Sequence, residues 1–415
     1  MFFKLRFIFV FCFLTLIFVG FFFNPKFNSL AFGYFYPCVI ILVLFGISGL
    51  TGKERIPADL VVVVVPLYIA FTLAVISFAA NSSDADYFLV GAFFLMAVVG
   101  SFSFGVFNFF SKIDARLLIA AVISAFTLNA VLMIVMFISP KFQLGYLNLL
   151  SEEGFSNFGG TENALGSMYR FRMIGVTGFA TYSAGFAQVI GLFFLSVYYK
   201  VVEKKPDLLF LLVSLLLMIS ALLSARSAVL GIFFWIIFCL IFFRLRFFYI
   251  ISFLSVFMTV ALVALLALMD ADEADFFTKW ILDLFISGTS SESFSESIQM
   301  FDVPFLDSGF FGFSRWFGDL GYDYFRSADV GFIRLILAGG FGVLFFVILH
   351  FLLMGLFFFR RNLSSFFSAL YIFLMIYFFV IMFKGAILVD FFAFDFLMLM
   401  LCWISSREES LVGNE

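Results

Sequence analysis

Charged side chains are scarce: Asp, Glu, Lys and Arg make up 12% of the 415 residues, about half the share usual in soluble domains. That deficit excludes a soluble enzyme. It also excludes a disordered chain, whose composition runs toward charge and away from apolar residues. Histidine occurs once, at His350, and the four cysteines (Cys12, Cys38, Cys239 and Cys402) each fall inside an apolar run. Isolated thiols of this kind behave as small hydrophobes, so neither a disulfide-stapled secreted domain nor a metal site follows from them. The net charge is −3, without the basic excess that a nucleic-acid partner requires. What is present instead is apolar: 64% of the residues are hydrophobic, 73 of them Phe. That is enough for roughly 12 or 13 spans of about 20 residues each. The runs are continuous rather than alternating, which disfavours a membrane β-barrel and gives an all-α polytopic membrane protein. The Phe excess needs no functional reason, because a lipid-facing helix position accepts any apolar side chain.

Read against its breakers, the sequence predicts about 12 transmembrane helices: Leu5 to Phe23, Ala31 to Leu50, Ile56 to Ala79, Tyr87 to Phe107, Leu117 to Ser139, Phe179 to Tyr199, Leu208 to Leu223, Ala228 to Phe243, Phe247 to Met269, Val330 to Phe359, Leu363 to Phe383 and Ala386 to Ile404. Lys4 and Arg6 precede the first run as in a signal peptide. The run is long, however, and ends in Phe23, Asn24 and Pro25 without a small-residue cleavage site, so it is read as a retained helix. With the N-terminus inside, fourteen of the 24 basic residues fall on inward segments, among them Lys53 and Arg55, Lys112 and Arg116, Lys200, Lys204 and Lys205, and Arg360 and Arg361. This is the distribution the positive-inside rule demands, and it puts both termini in the cytoplasm. One integral membrane domain, residues 1–415, is expected, with no internal repeat of the kind inverted-repeat transporters carry.

Two outward segments are long, residues 140–178 and 270–329. Long ordered loops are usually functional, so the chemistry is expected to face outward. The second begins with acids (Asp270, Asp272, Glu273, Asp275), turns Ser-rich, and ends in Gly and aromatics that include Trp316, Tyr322 and Tyr324. Trp and Tyr in such a place suit the headgroup level, with a short amphipathic helix from Phe276 to Phe285 beside them.

The outward arginines carry the functional reading. Arg170 and Arg172 precede a glycine-punctuated approach to the sixth helix, and Arg226 occupies a turn so short that it sits at or below the interface. Arg326 and Arg334 flank the start of the tenth helix. Arginine at a membrane edge holds phosphate bidentately, although each of these alone also suits a side chain snorkelling to headgroups. Arg334 would lie about one turn inside the span, facing the bundle or a wet cavity. Asp329, between Arg326 and Arg334, reads either as a helix cap or as a carboxylate that accepts a proton beside guanidinium groups. The acids at Asp84 to Asp86 read as solvated charge rather than a metal site. His350 reads as a packing residue. Asp390 and Asp395, five residues and about 140° apart on one helix, face different sides, with Lys384 and His350 as candidate partners.

Together, FRMIGVTG at Arg172, LLSARSAVLG at Arg226 and SADVGFIRLILAGGFG from Ser327, set among about twelve helices and two long outer loops, resemble the bacterial O-antigen and surface-polysaccharide polymerases (Wzy-type), relatives of the O-antigen ligases. The resemblance implies a glycosyltransferase of the inner membrane with a periplasmic active site. Such an enzyme transfers a growing glycan from its undecaprenyl pyrophosphate carrier to the non-reducing end of another lipid-linked repeat unit, without metal or cofactor. It implies that Arg172 and Arg226, with Arg170, Arg326 and Arg334, grip the carrier pyrophosphate, and that Asp329 deprotonates the acceptor hydroxyl. Glu162, Asp302, Asp307, Asp319 and Asp323 compete for that role. Membrane lipid, a chain-length regulator and a flippase are the implied partners. The related ligases carry a histidine in the second large outer loop; this chain has none there, which disfavours ligase. The competing reading is a multi-pass transporter or flippase of lipid-linked oligosaccharide, in which Asp390, Asp395 and His350 form an intramembrane relay.

Overall fold

An apolar run in lipid has to satisfy its backbone internally, and helices do so. The computed structural model describes residues 2–25, 27, 35–51, 58–111, 115–150, 173–177, 181–202, 205–243, 275, 278, 298–302, 305–318, 324–360 and 365–406. Among them the regular structure is helical, apart from the isolated bridges Phe27 to Leu150 and Phe317 to Tyr324. The helices are α1 (Phe2–Phe23), α2 (Phe35–Leu50), α3 (Ala58–Ala80), α4 (Phe88–Ser111), α5 (Ala115–Ile138), α6 (Pro140–Leu147), α7 (Thr181–Val201), α8 (Leu208–Ser224), α9 (Ala228–Phe243), α10 (Gly331–Arg360), α11 (Ser365–Met382), α12 (Ile387–Asp390) and α13 (Ala393–Ser406). Six of these are long and apolar enough to cross a membrane and five more are shorter but apolar, which makes the chain a multi-pass membrane protein.

Three expectations change. The segment 140–178 does not begin as a loop: α6 starts there, with Pro140 in its first turn and the Ser139 hydroxyl accepting from the Phe142 amide at 3.3 Å, a favourable N-terminus. The last predicted helix is two, α12 and α13, because the backbone leaves the helical region at Phe391 (φ −132°, ψ 68°). The interruption leaves Asp390 exposed and Asp395 buried. The tenth is broken inside at Gly340 (φ 75°, ψ 177°). The predicted span Phe247 to Met269 and the helix Phe276 to Phe285 lie outside the described residues, apart from Thr278.

The chain divides into two compact units, residues 1–38 with 116–291, and residues 39–115 with 292–415. In the first, α7 is the most enclosed of the candidate spans and packs on α8 and α9. Its neighbour α5 sends Asn129, fully buried, to the strip 173–177, where its Oδ1 accepts from the Val176 amide at 2.7 Å. In the second unit, α10 packs on α3, α11 and α13, and α4 lies against both α3 and α13.

The Gly340 break organises the second unit. A broken helix leaves carbonyls without their i+4 donors. Here Leu337 and Ala338 accept instead from the Phe313 and Ser314 amides (2.7 and 2.9 Å), while the Gly309 and Phe310 carbonyls accept from Phe341 and Gly342 (3.1 and 3.0 Å). Residues 309–314 are thus laid along α10 like a short ribbon. Gly312 and Gly340 both have positive φ, and a Cβ on either would run into the backbone of the other strand of this contact, so only glycine fits.

Candidate functional site

Arg334 stands on α10 between its start and the Gly340 break, and it is only 4% exposed. Its guanidinium carbon lies 4.1 Å from the Trp316 ring centre and 3.6 Å from that of Tyr324, so the cation is held over two aromatic faces. Each desolvated cation–π contact is worth about 2 kcal/mol. Its Nε and Nη1 have no hydrogen-bond partner among the described residues. A buried guanidinium with donors left open is costly unless an acceptor arrives, and its planar fork fits carboxylate or phosphate.

Trp316 is placed by Asp86. The Asp86 Oδ2 accepts from the Trp316 and Phe317 amides (2.6 and 3.1 Å), its Oδ1 from the Phe88 amide (3.1 Å), and its own amide donates to the Ser314 carbonyl (2.8 Å). Phe88, the first residue of α4, stacks on Trp316 at 5.1 Å. Asp86, read from sequence as solvated charge, is therefore a staple that fixes one wall of the clamp.

Asp329 precedes α10 and belongs to the same cluster. Its Oδ1 is buried and has no hydrogen-bond partner among the described residues, so that oxygen does not cap the helix. Burial pushes the carboxyl up to about 6; the Arg334 charge opposes the rise, the nearby Asp390 adds to it, and Lys384 opposes it. Burial also raises the Tyr324 phenol. A carboxyl poised near 6 beside a fixed cation is suited to take up and release a proton near neutral pH.

Of the sequence-predicted residues, Asp329 and Arg334 are brought together in this unit. Arg326 is not part of the clamp: its backbone is left-handed (φ 54°), its side chain is exposed, and its guanidinium lies over Phe313 (4.6 Å) and Phe325 (5.4 Å). The turn at 325–327, rather than a continuous helix, sets that direction. Asp307 is exposed. Arg170, Arg172, Glu162, Asp319 and Asp323 lie outside the described residues, and nothing is described of the Asp302 side chain. Asp390 is exposed and lies close enough to Asp329 and Tyr324 for its charge to raise both groups.

In the first unit, two of the three sequence motifs meet. The Met173 amide donates to the Leu223 carbonyl (2.9 Å), and the Ser224 hydroxyl donates to the Met173 carbonyl (2.5 Å). The strip that follows Arg172 is thereby tied to the turn carrying Arg226, which is half-buried. Met133, Met136 and Ala184 pack around the junction, and the Tyr146 hydroxyl donates to the Val176 carbonyl at 3.0 Å. An apolar cavity of about 610 Å³ lies elsewhere in this unit, between α1, α5, α7 and α8. Its Thr15 and Thr127 hydroxyls are spent on their own helices' carbonyls (2.9 and 2.8 Å), so the lining favours an apolar occupant.

Trp316 and Tyr324 as walls of an arginine clamp were missed by sequence reasoning, as was Asp86. The signal was an arginine in the second turn of an apolar helix that follows an aromatic-rich loop. No group of His, Cys, Asp and Glu able to hold a metal occurs among the described residues. Compared with protein-family models, curated proteins and solved structures, the chain matches none.

Proposed function

We propose that this protein is a polysaccharide polymerase of the bacterial inner membrane. In this reading it has about twelve spans, both termini are cytoplasmic, and residues 140–178 and 270–329 face the periplasm. It transfers glycan from an undecaprenyl pyrophosphate carrier to the non-reducing end of another lipid-linked repeat unit. The observation that carries the reading is Arg334, buried between Trp316 and Tyr324 with its Nε and Nη1 unpartnered among the described residues. A pyrophosphate leaving group develops negative charge as the glycosidic bond breaks, and a preorganised guanidinium stabilises it without reorganisation cost. Asp329, pushed up to about 6, is the base that takes the acceptor hydroxyl's proton. The junction of residues 173–177 with the Arg226 turn supports a further anion grip, and the apolar cavity in the same unit suits a hydrocarbon chain. A second reading, a transporter of lipid-linked oligosaccharide, draws on the buried contact between His350 and Asp395.

The surface polysaccharide of a deletion strain separates the two. Loss of the ladder with single repeat units retained is the polymerase result. Loss of all repeat-bearing bands is the flippase result and would replace the proposal.

A further inference from the structure

The only histidine of the chain, His350, lies on α10 at 1% exposure, and Asp395 lies on α13 at 2%. The His350 Nδ1 is 2.7 Å from the Val63 carbonyl oxygen of α3. A carbonyl oxygen only accepts, so Nδ1 carries hydrogen. On the other side of the ring, Nε2 is 2.6 Å from the Asp395 Oδ1.

With Nδ1 already protonated, that second contact fixes the proton count. A neutral ring would present a bare lone pair at Nε2, and an ionised carboxylate presents only lone pairs at Oδ1. Two acceptors do not approach to this distance without a proton between them. The proton is either on Nε2, giving an imidazolium against a carboxylate, or on Oδ1, giving a carboxylic acid against a neutral imidazole. The pair is neutral overall in both cases. Without that proton an uncompensated carboxylate would sit in an apolar bundle, beside a histidine ring that packs on Phe351 and with its Oδ2 already lacking a partner among the described residues. Oδ2 faces α4 at Gly100, where even a Cβ would stand 3.7 Å away. On the packed helix α11, the Tyr371 hydroxyl is occupied by donating to the Phe351 carbonyl.

We infer that His350 and Asp395 form a proton-binding site at which one resident proton, shared across Nε2 and Oδ1, joins α3, α10 and α13. This site is separate from the Arg334 clamp and stands whether or not the polymerase reading does.

Because the chain has one histidine, labelling tests it directly. The full-length protein, carrying ¹⁵N-histidine and ¹³C-aspartate, is placed in vesicles of phosphatidylethanolamine and phosphatidylglycerol at neutral pH and read by solid-state NMR. The expected spectrum has Nδ1 protonated, one aspartate carboxyl carbon coupled through space to Nε2, and a proton on one member of that pair. Asp395→Asn should abolish the carboxyl coupling and leave Nε2 unprotonated while Nδ1 keeps its hydrogen. A wild-type spectrum with Nδ1 unprotonated, or with Nε2 and the coupled carboxyl both unprotonated, overturns the inference, and it does so without reliance on the variant folding.

Discussion

Replacing Asp329 by Asn should remove a pH-dependent cost from the stability of this protein. Burial raises the carboxyl from its ordinary 3.8 to about 6, with Arg334 and Lys384 opposing and Asp390 adding. Between those two values the folded protein holds a proton that the unfolded chain has released. The native state therefore binds more protons than the unfolded state, and stability falls as pH rises through this window, then levels off above it. A rise of this size corresponds to about 3 kcal/mol once the carboxyl is ionised in both states. Asn is neutral at every pH and nearly isosteric, so Asp329→Asn should lack the fall. The assay is denaturant or thermal unfolding of purified wild-type and variant protein in one detergent, at a pH below 3.8 and at one well above 6. The variant's stability relative to wild type should improve by about 3 kcal/mol from the lower to the upper pH. Parallel curves, or a variant that loses ground as pH rises, would refute the claim that burial governs this carboxyl.

Asp86→Ala leaves the Trp316 and Phe317 amides without their acceptor; stability should drop by about 1–3 kcal/mol, and protease cleavage within residues 309–318 should quicken while cleavage elsewhere is unchanged. At the buried His350–Asp395 pair, His350→Leu alone leaves Asp395 without the partner that shares its proton and should cost about 3–5 kcal/mol, whereas His350→Leu with Asp395→Leu should recover most of the loss, measured with the Asp395→Leu single variant as a double-mutant cycle of unfolding.

The positions of the apolar helices were legible because a bilayer dictates them: α1 to α5, α7 to α9 and α10 to α11 coincide with predicted runs within a few residues. Hydropathy does not register breaks, since the residues on either side are as apolar as any others. Gly340 interrupts α10 because residues 309–314, far upstream, supply the missing donors, and that is a tertiary fact with no local signature beyond a pair of glycines. The helix α6 was missed for the opposite reason. Its eight residues, led by Ser139 and Pro140, carry a clear start signal but too little apolar length to stand out. At the site, spacing placed Arg334 inside its helix correctly and paired Asp329 with it. It failed for Arg326, because a left-handed turn intervenes, and for Trp316 and Tyr324, whose usual place in membrane proteins is the headgroup belt rather than around a buried cation. The proximity of His350 to Asp395 was foreseeable from the rule that intramembrane charges find one another. Asp86 was not foreseeable, since nothing in an acidic loop distinguishes a staple from a solvated acid.

Chain elongation in a purified system tests the Arg334 clamp most directly. Wild-type protein in vesicles, supplied with undecaprenyl pyrophosphate-linked repeat units and no nucleotide sugar, should build a ladder of longer glycans. Arg334→Lys keeps the charge but loses the planar fork and its stack on two rings, at a cost of about 2 kcal/mol or roughly 30-fold in elongation rate. Wild-type protein that leaves the repeat units unjoined, or Arg334→Lys elongating at the wild-type rate, would contradict the account.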